Sequence, residues 1–214
     1  MNLCVIGCGG IGSWFCLLLD RLIEHQQLGS DMDIKVYDMD IVEKKNLRHQ
    51  LFDEQEIGMP KAAVMALRHS NMLPVIKRFD DKDLHKFDYF IICADNNAVR
   101  NLVYEHVLVT NEGLEPGHKG RKKFIDMRCE GRDYIVLTYR CNREMLFCTL
   151  GDTKESTQGF SCQRAEDVVR SQIKLGNMAV APVGAQILLD DFRGVEIPEY
   201  IYSGVVPNHW PKEI

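Results

Sequence analysis

Residues 3–15 read LCVIGCGGIGSWF, and residues 36–50 read VYDMDIVEKKNLRHQ. The first stretch decides the fold. Leu3 to Ile6 is a short apolar run, as expected for a parallel strand buried on both faces. Gly7, Gly9 and Gly12 follow as G-x-G-x-x-G, with Gly10 filling one of the intervening places. From Ile11 to Leu28 the apolar spacing is helical, with Trp14, Leu17, Leu18 and Leu22 on one side, and Gly29 and Ser30 end the pattern. Strand, glycine turn and helix together make an anion site. Glycine allows the tight turn and a close backbone approach, and the helix start offers free N–H groups and a partial positive charge.

Outward from this stretch, strands and helices alternate. Strands are expected at Ile34 to Tyr37, Val75 to Phe79 and Tyr89 to Cys93, with helices at Pro60 to Asn71 and Asn97 to Val109. Alternation of this kind implies right-handed crossovers and a mostly parallel sheet, an α/β, Rossmann-like fold. The pattern changes after Gly113. A basic loop, GLEPGHKGRKK, leads to strands expected at Phe124 to Arg128, Tyr134 to Tyr139 and Glu144 to Thr149, the last two joined by a hairpin turn at Arg140 to Arg143. GDTKESTQGFSCQ reads as a connection. Ala165 to Lys174 and Met178 to Phe192 look helical, with Pro182 kinking the second or marking its first turn. The proline-bearing tail from Gly194 reads as irregular. The whole is expected to be a single domain, residues 1–214, with a nucleotide-binding half at 1–110 and crossing strands, a loop and the last helices at 111–214.

The 214 residues suffice for one sizeable core, and 45% apolar with 27% charged residues is an ordinary globular balance. A net charge of −5 argues against a nucleic-acid partner or an anionic membrane, while leaving room for one nucleotide in a locally positive pocket. The N-terminal run lacks a basic start and is broken by glycines, so it is neither a signal peptide nor a span. The eight cysteines form no C-x-x-C pair, so zinc is not expected. Cys4, Cys16 and Cys93 lie in apolar runs, as small buried hydrophobes do. A cytoplasmic location is the default for such a chain.

The second stretch carries the chemistry. Asp38 ends a strand, where a carboxylate can accept the ribose hydroxyls of NAD or ATP alike. The polar run after it is longer than a plain dinucleotide site needs. Asn46, Arg48, His49 and Gln50 place amide, guanidinium and imidazole donors within five residues. Lys61 opens a helix against the dipole, which favours acids there, so it suits a nearby anion. As a helix-start lysine it is expected to be exposed and dispensable for folding. Asp95 and Asn96 follow the fourth strand at the carboxyl edge of the sheet. A carboxylate beside phosphates there suits magnesium, and either residue could cap the next helix.

These motifs in this order, G-x-G-G-x-G, D-x-D-x-V-x-x-x-N-L-x-x-Q, G-x-P-K and C-x-D-N, resemble the ThiF/MoeB and ubiquitin-activating enzyme superfamily. The likeness is strong over residues 3 to 110 and weaker through CEGRDYIVLTY and GNMAVAPVGAQILLDDF. The second of these, with SCQRAEDVV before it, also resembles compact ThiF-type proteins of plasmids and mobile elements. The resemblance implies an adenylyltransferase. The C-terminal carboxylate of a ubiquitin-like or sulfur-carrier protein would attack the α-phosphorus of ATP, giving an acyl-adenylate and pyrophosphate. It implies ATP and magnesium as cofactors, Asp38 at the ribose, Asn46 and Lys61 at the phosphates, Asp40 also in the nucleotide site, Asp95 at the metal, and a homodimer. Cys162, on the loop before the last helices, matches the place of the cysteine that accepts the activated carrier in related enzymes; an incidental loop thiol is the other reading.

Three departures stand out. The family's N-L-x-R-Q becomes Arg48-His49-Gln50, with His49 in the arginine's place. Only Met1 and Asn2 precede the first strand, where many members carry a helix with an arginine that crosses the dimer. The family's zinc-binding C-x-x-C pairs are missing. The first two keep open a nucleotide- and protein-binding member without catalysis. An NAD-dependent oxidoreductase is the third reading.

Overall fold

The computed structural model describes residues 1–29, 31–115, 117–148 and 175–204. Seven strands form one sheet in the order β3-β2-β1-β4-β5-β6-β7. They are β1 (Asn2–Ile6), β2 (Asp33–Tyr37), β3 (Met72–Val75), β4 (Tyr89–Ile92), β5 (Lys123–Glu130), β6 (Asp133–Thr138) and β7 (Tyr200–Ser203). The first five run parallel; β6 and β7 add antiparallel at one edge. The helices are α1 (Gly12–Glu24), α2 (Lys61–Arg68), α3 (Asn97–Asn111), α4 (Arg143–Cys148) and α5 (Gly176–Phe192). This is the mostly parallel Rossmann-like sheet, with antiparallel strands in the C-terminal half, that the alternation implied.

The period of two along β1 builds both cores. Leu3 and Val5 face one side with α1, α2 and α5; Cys4 and Ile6 face the other with α3 and α4. Both faces of β1 are therefore dry, which is why the run is apolar without alternation. On the α3 side, Tyr37, Phe79, Phe87 and Phe90 meet mostly edge to face, Tyr37 and Phe79 at 5.2 Å between ring centres. These rings fix the ends of β2 and β4 relative to each other.

Three expectations are corrected. The third strand is Met72–Val75, not Val75 to Phe79. It is an edge strand, so it tolerates Pro74, and the chain turns where the Val75 carbonyl accepts N–H groups from both Asp38 and Lys77. Glu144 to Cys148 is helical rather than extended. The Asn142 side chain accepts from the Met145 N–H and opens α4, while Met145 and Leu146 bury beneath α3. The place beside β6 that a hairpin would have filled belongs to β7, in the tail expected to be irregular. Helix α5 continues through Pro182, whose missing N–H leaves the Met178 carbonyl without its helical donor.

Candidate functional site

The strand order reverses around β1, whose neighbours β2 and β4 lead their chains to opposite sides of the sheet. A crevice at the carboxyl ends of such strands is the expected ligand position. A cavity of about 230 Å³ sits there, walled by the ends of β1, β2 and β4 together with His49, Gln50, Lys61 and Lys77 to Phe79.

The glycine loop is shaped by contact. Gly7 has φ +95°, and a Cβ there would lie 2.9 Å from the Ala94 nitrogen; one on Gly12 would strike the Gly7 carbonyl at 1.9 Å. Gly9 differs: no atom lies within 4 Å of its Cβ position, so its bareness serves the cavity rather than the packing. Ser13 N–H closes on the Gly9 carbonyl, while the Gly10, Ile11 and Gly12 N–H groups find no acceptor among the described residues. That is a cradle for an anion.

Asp38 braces this loop. Its carboxylate accepts from the Cys8 N–H at 2.6 Å and the Asp40 N–H at 2.8 Å. Burial raises its carboxyl above the ordinary range, opposed by those two N–H groups and by Lys61. From Asp40 the chain loops out and returns at Lys61, closed by the Ile41–Pro60 bridge and by the Lys61 N–H on the Asp40 carbonyl at 2.9 Å. The expectation of an exposed lysine is wrong: Lys61 is 6% exposed, and its Nζ lies 3.3 Å from the exposed Asp40 carboxylate. The closed loop buries the aliphatic stem and delivers the ammonium to the cavity wall.

Within the loop, Asn46 is buried, and its side-chain oxygen accepts from the Glu43 N–H at 2.8 Å, capping a short helical turn. It does not line the cavity, nor does the exposed Arg48. His49 does, from 8% exposure, and its Nδ1 has no partner among the described residues. Burial first, and Lys61 second, lower its imidazole below the ordinary value. The side chain in the arginine's place is thus a neutral imidazole near pH 7. Gln50 lies against it, Nε2 to Nε2 at 3.3 Å.

Asp95 is exposed on the opposite wall, and Asn96 caps α3 through the Ala98 N–H at 2.8 Å. Their loop is anchored from behind. Arg100 donates to the Ala94 carbonyl at 2.5 Å and to Asn97 at 2.9 Å, and its Nε meets Asp126 at 3.2 Å. Arg128 Nε meets Asp126 at 2.7 Å, and Tyr104 donates to the same carboxylate. Burial alone would raise the Asp126 carboxyl; Arg128 and Arg100 outweigh it and hold it low. Sequence reading missed this network, although Arg100 on the apolar α3 and Asp126 inside β5 were visible as charges in apolar runs. It also missed Lys77 and Arg78, taken for strand, and Asn177.

The cavity therefore brings together Gly7, Gly9, Gly10, Asp38, Asp40, His49, Gln50, Lys61, Asp95 and Asn96. Cys162, the connection before it and the helix expected at Ala165 to Lys174 lie outside the described residues. No group of three or more His, Cys, Asp or Glu side chains poised for a metal occurs among the described residues, and no helix there is long and apolar enough to cross a membrane.

Residues 1–179 match the model of the ThiF family. Among solved structures, Escherichia coli MccB with AMPCPP and MccA superposes at a TM-score of 0.60 and 19% identity, covering 100% of this chain and 61% of that one. MccB with ATP gives 0.60, 18%, 100% and 61%. The Microcin C7 biosynthetic enzyme MccB with N-formylated MccA gives 0.61, 19%, 100% and 62%. The chain thus spans about three-fifths of the length of MccB and shares its fold. No curated protein sequence matches it.

Proposed function

The chain belongs to the ThiF family, and from that premise we propose that it is an ATP-dependent adenylyltransferase acting on the C-terminal carboxylate of a peptide or small carrier protein of ubiquitin-like or sulfur-carrier type. The observation that carries this reading is the convergence of the open glycine-loop N–H groups with buried Lys61 and His49 across one cavity. One phosphate-binding element would suit many nucleotides. A second, brought in on a long polar loop, suits a triphosphate.

Asp38 would receive the ribose hydroxyls on the oxygens that already brace the glycine loop. The α1 start and Lys61 would hold the phosphates, with Lys61 exchanging Asp40 for the more highly charged ligand. Asp95 would hold magnesium, which would neutralise phosphate charge. The carrier's carboxylate oxygen would form a bond to the α-phosphorus while the bond to the bridging oxygen breaks, and pyrophosphate would carry away the electron pair. Such a transfer needs alignment and charge neutralisation and no covalent help from the protein. The match of MccB structures with ATP and with MccA supports the same reading. His49 in the arginine's place, neutral and buried, favours a second reading: a member that binds nucleotide and partner without turnover.

ATP–pyrophosphate exchange with carrier proteins and peptides ending in a free carboxylate tests the proposal. The same substrates amidated at the C-terminus should be silent, because the nucleophile is gone. Lys61→Ala should lower exchange by about 10²–10³ if the ammonium stabilises the transferring phosphate. Exchange that ignores amidation, or survives Lys61→Ala within a few-fold, sinks the catalytic reading.

A further inference from the structure

We infer that Asn177 is a positioning residue of the nucleotide site, which sets the direction of the glycine-loop donors and ties them to the His49 segment. Asn177 stands in the first turn of α5 with no exposed surface. Its side-chain Nδ2 donates to two carbonyls, that of Gly10 at 3.0 Å and that of His49 at 2.5 Å. Two carbonyl acceptors require the NH₂ end of the amide, so its orientation is not in question. Its Oδ1 is buried and has no partner among the described residues. The side chain thus spends its donor end on the two loops that wall the cavity.

The consequence follows from peptide geometry. A trans peptide is planar, and its C=O and N–H point in opposite directions. With the Gly10 carbonyl drawn to Asn177, the Ile11 N–H points away from α5, and it is one of the donors left without an acceptor among the described residues. The same amide draws in the His49 carbonyl, which fixes the backbone from which the imidazole enters the cavity. The start of α5 is itself immobilised. Gly176 N–H donates to the Gly131 carbonyl at 3.0 Å, and a Cβ on Gly176 would meet that oxygen at 2.4 Å. The β5–β6 turn therefore holds the helix, the helix holds Asn177, and Asn177 holds both phosphate-facing loops. A helix from the C-terminal half thus supports a site whose cavity lining lies wholly in the first hundred residues.

The inference rests on the nucleotide reading but not on catalysis, so its test is binding. ATP and adenosine are titrated calorimetrically, below the melting temperature, into the wild-type chain, Asn177→Ala and Asn177→Ser. Adenosine lacks the phosphates that the positioned donors would meet. The Ala variant should weaken ATP by about tenfold or more while adenosine stays within about twofold, and the Ser variant, which keeps one donor, should fall between. Parallel weakening of both ligands, or no change in either, would reduce Asn177 to a packing residue. A wild-type chain that binds adenosine and ATP equally would overturn the phosphate site itself, a failure distinguishable from the first.

Discussion

Behind the 94–97 loop, Asp126 is wholly buried, and every charge around it has a partner: Arg100, Arg128 and the Tyr104 hydroxyl converge on one carboxylate. In front of the same loop, the N–H groups of Gly10 to Gly12 and the Nδ1 of His49 are left without partners among the described residues. The two regions lie back to back across the end of β4. Desolvated polar groups cost free energy unless they are paired. The rear network meets that cost internally and so acts as an anchor. At the front no protein group among the described residues meets it, and the open N–H groups have the donor character that an anion would satisfy. Polarity alone does not mark a site. Open donors gathered on one cavity are a better sign, since atoms unpartnered among the described residues, such as the His69 Nε2 and the Tyr89 hydroxyl, also occur away from it.

Three experiments press on this contrast. Asp126→Ala would strand two guanidiniums in the interior and should cost about 3–5 kcal/mol in urea unfolding. ATP affinity of the folded fraction should change less than the stability does. A loss below about 1 kcal/mol, the scale of a surface pair, would show that the rear network is not an anchor. Gly9→Ala places a methyl where nothing stands within 4 Å. Stability should stay within about 1 kcal/mol, while ATP binding weakens by about tenfold or more. Gly7→Ala should do the reverse first, lowering the melting temperature, because φ +95° and the Ala94 backbone both oppose a side chain. If Gly9→Ala binds ATP normally, the open side of the loop is not where phosphate sits.

The smallest effect concerns His49. Its native imidazole holds a proton less tightly than the unfolded chain would. Protonation therefore favours unfolding, and this contribution to stability is lost as pH falls below about 6.5, the ordinary imidazole value. Bound phosphates should restore the proton, so ATP should suppress the acid loss. The measurement is melting temperature against pH with and without ATP, for wild type and His49→Gln. The difference between the two proteins cancels the titration of ATP itself. Curves that stay parallel would remove His49 from the ligand's surroundings.

Much of the site was legible because its grammar is local. Gly7 to Gly12, Asp38, Lys61 and Asp95 each follow or open an element whose period is plain, and the carboxyl edge of a parallel sheet collects such residues. The errors came where local pattern competes with distant partners. The stretch 144–149 carries enough apolar residues for a strand, but β6 already had β7 as its neighbour, and a single asparagine cap turned the segment into a helix. The run 75–79 opens with Val75 and Ile76 and ends on Phe79, residue types that suit a strand, yet Phe79 is claimed by the aromatic cluster and Lys77 and Arg78 by the cavity wall. Lys61 looked exposed because helix starts usually are. Only the closure of residues 40–61 on themselves buries it.

By itself the sequence determined the sheet's parallel half, the glycine turn between β1 and α1 and much of the cavity lining, because these depend on spacings of a few residues and on backbone rules that hold wherever the segment sits. The tertiary structure alone decided which polar groups are satisfied and which are left open. Asn177 reaches Gly10 across 167 residues and His49 across 128, and no periodicity encodes a hydrogen bond of that span. Whether a buried amide, lysine or imidazole is an anchor or a ligand-binding group depends on what the rest of the chain brings within about 3 Å of it, which only the packed molecule determines.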